Sequence, residues 1–265
     1  MLLPRVFPTL LVNGIGAIKT IQFDHPTYIG DPINAARIFN ANEVDELALL
    51  DKRATTEQRI ISLEMVSKIS DECFMPLTVG GGVKNLEDVR RLINAGAEKV
   101  AINSQAMRHP EFVREAAKEF GSTTIVVSID VRKMKDGSYQ VFTNEGLKET
   151  GKEPVSVAQE MDAMGAGEIF LNSIDRDGTM QGYDIALTGK VSAAVNVPVI
   201  ACGGAGTLEH IRAAIYEGGA SAATAGSMFV FQGRKRAVLI NFPSRAELEE
   251  LFSKALEGSA VTKVE

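Results

Sequence analysis

Two glycine clusters, and the short polar pairs that follow each of them, are the residues of this chain best suited to chemistry. The first cluster is TVGGGV (78–83), followed one strand later by Asn103-Ser104. The second is ACGGAG (201–206), followed one strand later by Gly226-Ser227. Glycines between a strand and a helix let backbone N–H groups close on an anion, and the positive helix end adds attraction. Two such clusters on one rim suit a ligand with a phosphate at each end; the plainer reading is a pair of tight turns. Carboxylates supply the acid–base candidates: Asp51 and Asp130 end apolar strands, and Asp177 lies in IDRDGT (174–179). Asp175, in the same segment, reads as a brace for its turn. His25, His109 and His210 stand at unrelated spacings, so no metal is expected, and no cofactor motif is present. Cys202 has no histidine beside it in sequence and reads as a small strand residue.

The elements that must carry these residues repeat. PLTVGGGVKNLEDVRRLINAGAEKVAINSQAM starts at Pro76, and PVIACGGAGTLEHIRAAIYEGGASAATAGSMF starts at Pro198. Each reads as strand, glycine cluster, amphipathic helix, Gly-Ala turn and second strand. A strand–helix–strand unit repeated half a chain apart is what a duplicated (βα)4 half-barrel would leave behind. Apolar strand-like runs fall at 5–12, 46–51, 77–79, 99–102, 124–130, 168–173, 199–202 and 222–225, which makes eight. Helical patterns include 56–69, 86–95, 110–119, 155–164, 208–216 and 244–256. Strands that are apolar throughout, alternating with helices, predict a closed parallel sheet: an α/β (βα)8 TIM barrel built from two similar halves. An open doubly wound sheet is the alternative. A single barrel over 1–257 and a frayed tail over 258–265 are expected, with long irregular covers at 14–32 and 132–153.

Composition narrows the partners. At 265 residues the chain has the size of one such barrel. A net charge of -6 argues against nucleic acid or an anionic membrane surface. No apolar run is long enough for a membrane span, MLLPRVF lacks the features of a signal peptide, and two cysteines are too few for a disulfide framework. A cytoplasmic protein with reduced thiols is expected.

TVGGGV, KVAINS (99–104), VVSID (126–130), GAGEIFLNSIDRDGT (165–179) and ACGGAG together resemble the cyclase subunit of imidazole glycerol phosphate synthase, from Arg5 to about Phe231. In that family a glutaminase partner releases ammonia, which passes along the barrel to a bisphosphate substrate at the top. The resemblance implies one phosphate at Gly82, Asn103 and Ser104, and another at Gly204, Gly226 and Ser227, with Asp177 and Gly178 near the rim. It implies an active-site lysine at Lys19 and a catalytic aspartate at Asp130. It also implies a ring of charges gating ammonia at the opposite end, Arg5, Glu46, Lys99 and Glu168, with Glu98 on the face that docks the glutaminase. Each ring residue starts a strand, so the four side chains could meet on the axis, and two positive with two negative charges form a balanced set.

One family position departs. The first of the two catalytic aspartates falls on Leu11. Leucine neither gives nor takes a proton, and an acid–base group contributes about 10²–10⁴-fold. A kept intake with an altered top is similar to cyclase-like proteins of surface-polysaccharide pathways, which work with a glutaminase-like subunit and a separate ATP-dependent amidotransferase. Those systems turn a sugar acetamido group into an acetamidino group, and RKRAVLINFPS (234–244) also looks more like that group. The expected function is therefore ammonia delivery for such an amidination, with cyclase activity impaired. The alternatives are a genuine cyclase of histidine biosynthesis, a lyase, and a regulatory subunit that activates its glutaminase without conducting ammonia.

Overall fold

The computed structural model describes residues 3–14 and 16–261. The chain opens with β1 (Arg5–Val12), a hairpin of β2 (Ala17–Ile21) and β3 (Asp24–Gly30), and α1 (Pro32–Ala41). Then come β4 (Leu47–Asp51), α2 (Leu63–Ser70), β5 (Leu77–Gly80), α3 (Leu86–Asn94) and β6 (Lys99–Ile102). A short α4 (Ser104–Arg108) and α5 (Glu111–Phe120) lead to β7 (Ile125–Lys133), the small strands β8 (Tyr139–Thr143) and β9 (Lys148–Glu149), and α6 (Pro154–Ala163). The remainder holds β10 (Glu168–Ser173), α7 (Ile185–Ser192), β11 (Val199–Cys202), α8 (Leu208–Tyr216) and β12 (Ala222–Ala225). It ends with a hairpin of β13 (Phe231–Gln232) and β14 (Ala237–Val238), followed by α9 (Arg245–Val261).

Eight parallel strands pair in the order β1, β4, β5, β6, β7, β10, β11, β12, and β12 returns to β1. Arg5 stands opposite Ala222 on one side, and Thr9 opposite Ala48 on the other, so the sheet is closed. It is the (βα)8 barrel the sequence predicts. The strands bury both faces, which is why they read as unbroken apolar runs. Their outer faces pack on the helices in one large core. Their inner faces form a separate cluster of Phe7, Ala48, Ala101, Val126, Phe170, Ile200 and Ala222, all at or below 5% exposure.

The long connections differ from expectation. Segments 14–32 and 132–153 are not irregular covers: the first is the β2–β3 hairpin, and the second extends β7 to Lys133 and pairs it with β8. Five of the seven residues of β3 are exposed, so no apolar alternation marked it as a strand. The helix expected over 56–69 begins only at Leu63, where the Ser62 hydroxyl accepts from the Met65 N–H. Residues 55–61 instead fold back over the first glycine cluster, and the Ile61 N–H donates to the Gly81 carbonyl. Helices α1 and α7 were not anticipated, although Asp31-Pro32 carries a capping side chain and a proline in the first turn. The tail expected from residue 258 is helical as far as Val261, and 262–265 lie outside the described residues. Among the described residues no helix is long and apolar enough to cross a membrane.

Candidate functional site

A cavity of about 530 Å³ opens at the carboxyl ends of the barrel strands. Its wall includes Leu11, Lys19, Gly82, Asn103, Ser104, Asp130, Asp177, Gly178, Gly204, Gly226 and Ser227. Residues from opposite halves of the sequence are thus brought to one chamber.

The two glycine clusters are built alike. Gly81 and Gly82 have φ of 134° and 74°, and the aligned Gly203 and Gly204 have 89° and 112°. Both need glycine for space as well. A β-carbon on Gly82 would sit 1.8 Å from the Arg59 carbonyl oxygen, and one on Gly204 would sit 2.2 Å from that of Gly182. The polar pairs match too: Asn103 (φ -114, ψ -89) and Gly226 (φ -105, ψ -73) share a backbone shape that turns the chain into a short helical segment.

Between the clusters lies the titratable centre. Asp130 accepts hydrogen bonds from Asn103 Nδ2 (3.0 Å) and Asn172 Nδ2 (3.3 Å). Burial raises its carboxyl to about 7; the charge of Asp177 pushes the same way, and the two amides oppose it. Asp177 accepts from the Thr20 hydroxyl at 2.9 Å, and burial raises its pKa as well. Its backbone carbonyl takes the Gln22 N–H, tying the loop after β10 to the β2–β3 hairpin. Gly178 fits beneath that hairpin because a β-carbon there would lie 1.9 Å from the Thr20 carbonyl oxygen. Lys19, 4% exposed, donates from Nζ to the Thr9 carbonyl. Desolvation lowers its pKa to about 8, against the opposing pull of Asp177 and Cys202. Cys202 forms part of the wall, and burial pushes its thiol well above the usual range. A thiol so raised is a poor nucleophile.

Leu11 lies in register with Leu50 and Ile18 on its neighbouring strands, so its own position presents hydrocarbon to the chamber. Asp51 also reaches the wall but is held by Arg59, with Nη1 to Oδ2 at 2.6 Å. Asp175 braces its turn as read from the sequence, accepting from the Lys133 N–H at 2.7 Å.

At the other end of the barrel Arg5, Glu46, Lys99 and Glu168 close a ring. Arg5 bonds Glu46 (2.7 Å) and Glu168 (2.5 Å), and Lys99 bonds the same two carboxylates (2.9 and 3.1 Å). Thr78 adds a hydroxyl to Glu46 at 2.5 Å. Signs alternate round the ring, so each carboxylate lies between two cations. Glu98 is exposed at the same end, immediately before β6.

Sequence reasoning missed Asn172, Thr9, Thr20 and Arg59. Asn172 had a signal: a polar residue inside the apolar run EIFLNS must find partners when buried. One of its groups holds Asp130, while its buried Oδ1 has no partner among the described residues, leaving an acceptor beside Gly203. Thr20 and Arg59 had none, because their partners lie in distant or irregular segments.

The sequence matches the histidine biosynthesis protein family over residues 5–235. A relative from Leptospira borgpetersenii, named "Putative imidazole glycerol phosphate synthase subunit HisF", is 44% identical over 253 residues, 95% of this chain and 100% of its own length. One from Pseudomonas aeruginosa, carrying the same description as subunit hisF2, is 45% identical over 245 residues, 92% of this chain and 98% of its own. The Leptospira interrogans counterpart is 44% identical over 253 residues. With the barrel, the paired glycine turns and Asp130 in place, the chain belongs to the histidine biosynthesis protein family, as a HisF-like member.

Proposed function

We propose that this chain is the ammonia-conducting subunit of a two-protein glutamine amidotransferase whose ammonia goes to an acceptor other than the imidazole glycerol phosphate precursor. The reading favours amidination of a surface-polysaccharide sugar, acetamido to acetamidino, by a separate ATP-dependent enzyme in the cytoplasm. The observation that carries it is Leu11, a hydrocarbon wall where a two-carboxylate scheme needs a proton-handling group, set above a complete charged ring. A glutaminase would dock at the ring end, where Glu98 is exposed and Phe74 is 92% exposed. Ammonia released there would cross the inner layer around Phe7, Val126 and Phe170 as the neutral molecule, because ammonium would lose its hydration among apolar side chains. The crossing requires the ring to part transiently. At the top, Asn172 Oδ1 offers an acceptor for an ammonia N–H, and the two glycine turns would hold a phosphorylated molecule.

Asp177 favours a second reading, a genuine cyclase. It is a second buried carboxylate in the same chamber, and its charge acts on both Asp130 and Lys19. The relatives' names point the same way. One assay separates the two: the purified chain, ammonia and the aminoimidazole-carboxamide bisphosphate precursor, with imidazole glycerol phosphate as the readout. The first reading expects little or no product, and a gain of activity in Leu11→Asp. Ready turnover by the wild type, abolished in Asp177→Asn, would establish the second.

A further inference from the structure

Lys19 does something in this chamber that phosphate binding and proton transfer at Asp130 leave unexplained. A lysine that serves only as a cation is best kept protonated, solvated or paired with a carboxylate. Lys19 is 4% exposed, and among the described residues no carboxylate oxygen lies within ion-pair distance of its Nζ. Its Nζ lies against the second anion turn, so closely that a β-carbon on Gly226 would be 2.4 Å away. The Thr9 carbonyl accepts one of its hydrogens and aims the nitrogen. Two carboxyl groups, Asp177 and Asp130, share the cavity wall with it. A desolvated amine beside an anion seat, with proton donors and acceptors at hand, is the arrangement of a nucleophile.

We infer that Lys19 condenses reversibly, as an imine, with the carbonyl of a small phosphorylated aldehyde or ketone whose phosphate rests on the Gly204 and Gly226-Ser227 turns. The neutral Nζ attacks the carbonyl carbon, and the C=O electron pair moves onto oxygen, which takes a proton from a protonated carboxyl at Asp130. The nitrogen then gives a proton to a carboxylate, which passes it to the hydroxyl as that leaves as water; C=N forms as an iminium, whose remaining proton returns to Asp130. Amine and carbonyl become imine and water, with no oxidant or reductant required. The low pKa of Lys19, about 8, supports the chemistry. At pH 7.5 roughly a quarter of the amine would be neutral, against about 0.1% of an ordinary lysine. The inference leans on the phosphate rim proposed above but not on where the ammonia goes.

The test uses the full-length chain with pyridoxal 5′-phosphate at low molar excess, then borohydride to reduce the imine, and peptide mass mapping to locate the pyridoxyl group. Unphosphorylated pyridoxal is run in parallel. Lys19 is expected to be labelled about tenfold or more faster than the exposed Lys135 and Lys148. The phosphate should speed labelling of Lys19 alone, and inorganic phosphate should compete. Lys19→Arg keeps the charge and should lose that label while its surface labelling is unchanged. Labelling spread over surface lysines with Lys19 unmodified would overturn the inference. Equal labelling of Lys19 by both aldehydes would keep the amine and overturn the phosphate seat. Both results are read in the unmutated protein, so a misfolded variant cannot obscure them.

Discussion

The two ends of this barrel both bury charge, and they treat it in opposite ways. In the ring each charge has its counter-charge: Arg5 and Lys99 each bond both Glu46 and Glu168. At the mouth Asp51 is paired with Arg59, but Asp130 rests on two neutral amides, Asp177 on a hydroxyl, and Lys19 on a backbone carbonyl. Pairing keeps buried groups ionised, whereas amides and carbonyls leave the desolvation penalty in force and push each group toward its neutral form. Asp130 near 7 and Lys19 near 8 are the consequence. One end is therefore built to hold a fixed charge pattern, and the other to exchange protons at ordinary pH.

The largest effect expected from that contrast is a pH dependence set by Asp130. Its native pKa of about 7 lies above the unfolded value of about 3.9, so the native state keeps a proton that the unfolded chain has lost in between. That contribution is fully present below pH 4 and is lost as pH rises through 7, up to about 4 kcal/mol in all. Asp130→Asn does not titrate, so its stability relative to the wild type should climb by that order between pH 4 and pH 8. Urea denaturation across that range checks it, and a flat difference would mean Asp130 ionises like a surface carboxylate. Lys19 carries the opposite sign: its contribution is present at high pH and lost as pH falls through about 8.

At the ring the expected loss comes from breaking pairs. Lys99→Met leaves Glu46, whose side chain is 2% exposed, sharing Arg5 with Glu168, and should destabilise the fold by about 3 kcal/mol. Replacing all four charges at once (Arg5→Met, Glu46→Leu, Lys99→Met, Glu168→Leu) should recover most of that, because no orphaned charge remains. If the quadruple variant is less stable than Lys99→Met alone, the ring contributes stability beyond mutual compensation.

The same contrast decides what the sequence could disclose. The barrel strands were legible, since strands buried on both faces are apolar end to end and β1, β6, β10, β11 and β12 keep their expected limits. The ring was legible as strand-starting charges, once a resemblance singled them out. The hairpins Ala17–Gly30 and Tyr139–Glu149 were not, because one strand of each, β3 and β9, is largely exposed and carries no apolar alternation. Nor were the partners of the mouth. Thr20 with Asp177 and Asn172 with Asp130 meet only in the folded chain, the second pair across the β7–β10 ladder, over separations of 157 and 42 residues.

The duplicated glycine turns offer a gentler comparison between halves. Gly82→Ala and Gly204→Ala each meet a backbone carbonyl and a positive φ, and each should cost about 1–3 kcal/mol. Gly121→Ala has the same kind of φ, 90°, with nothing within 4 Å of the added carbon, so strain alone acts there. Thermal melts should place it above both. If it matches them, the close approach over the anion turns is not what demands glycine.

The smallest effect is the most pointed, because it asks whether the mouth can accept the carboxylate the ring end would have compensated. Leu11→Asp and Leu11→Asn remove the same hydrocarbon and differ only in an ionisable group on the wall shared with Asp130 and Asp177. Of the two cations nearest the buried carboxyls, Arg59 is committed to Asp51, and Lys19 is drawn toward its neutral form. A third like charge in the chamber raises the pKa values of the others, so the aspartate variant should lose stability relative to the asparagine variant as pH rises through 7. The gap should be about 1 kcal/mol at pH 8, softened by solvent in the open chamber. Below pH 4, with all three carboxyls protonated, the two variants should coincide. A gap that persisted there would have to come from packing, and an aspartate that stabilised the fold at pH 8 would mean that Lys19 stays charged beside it.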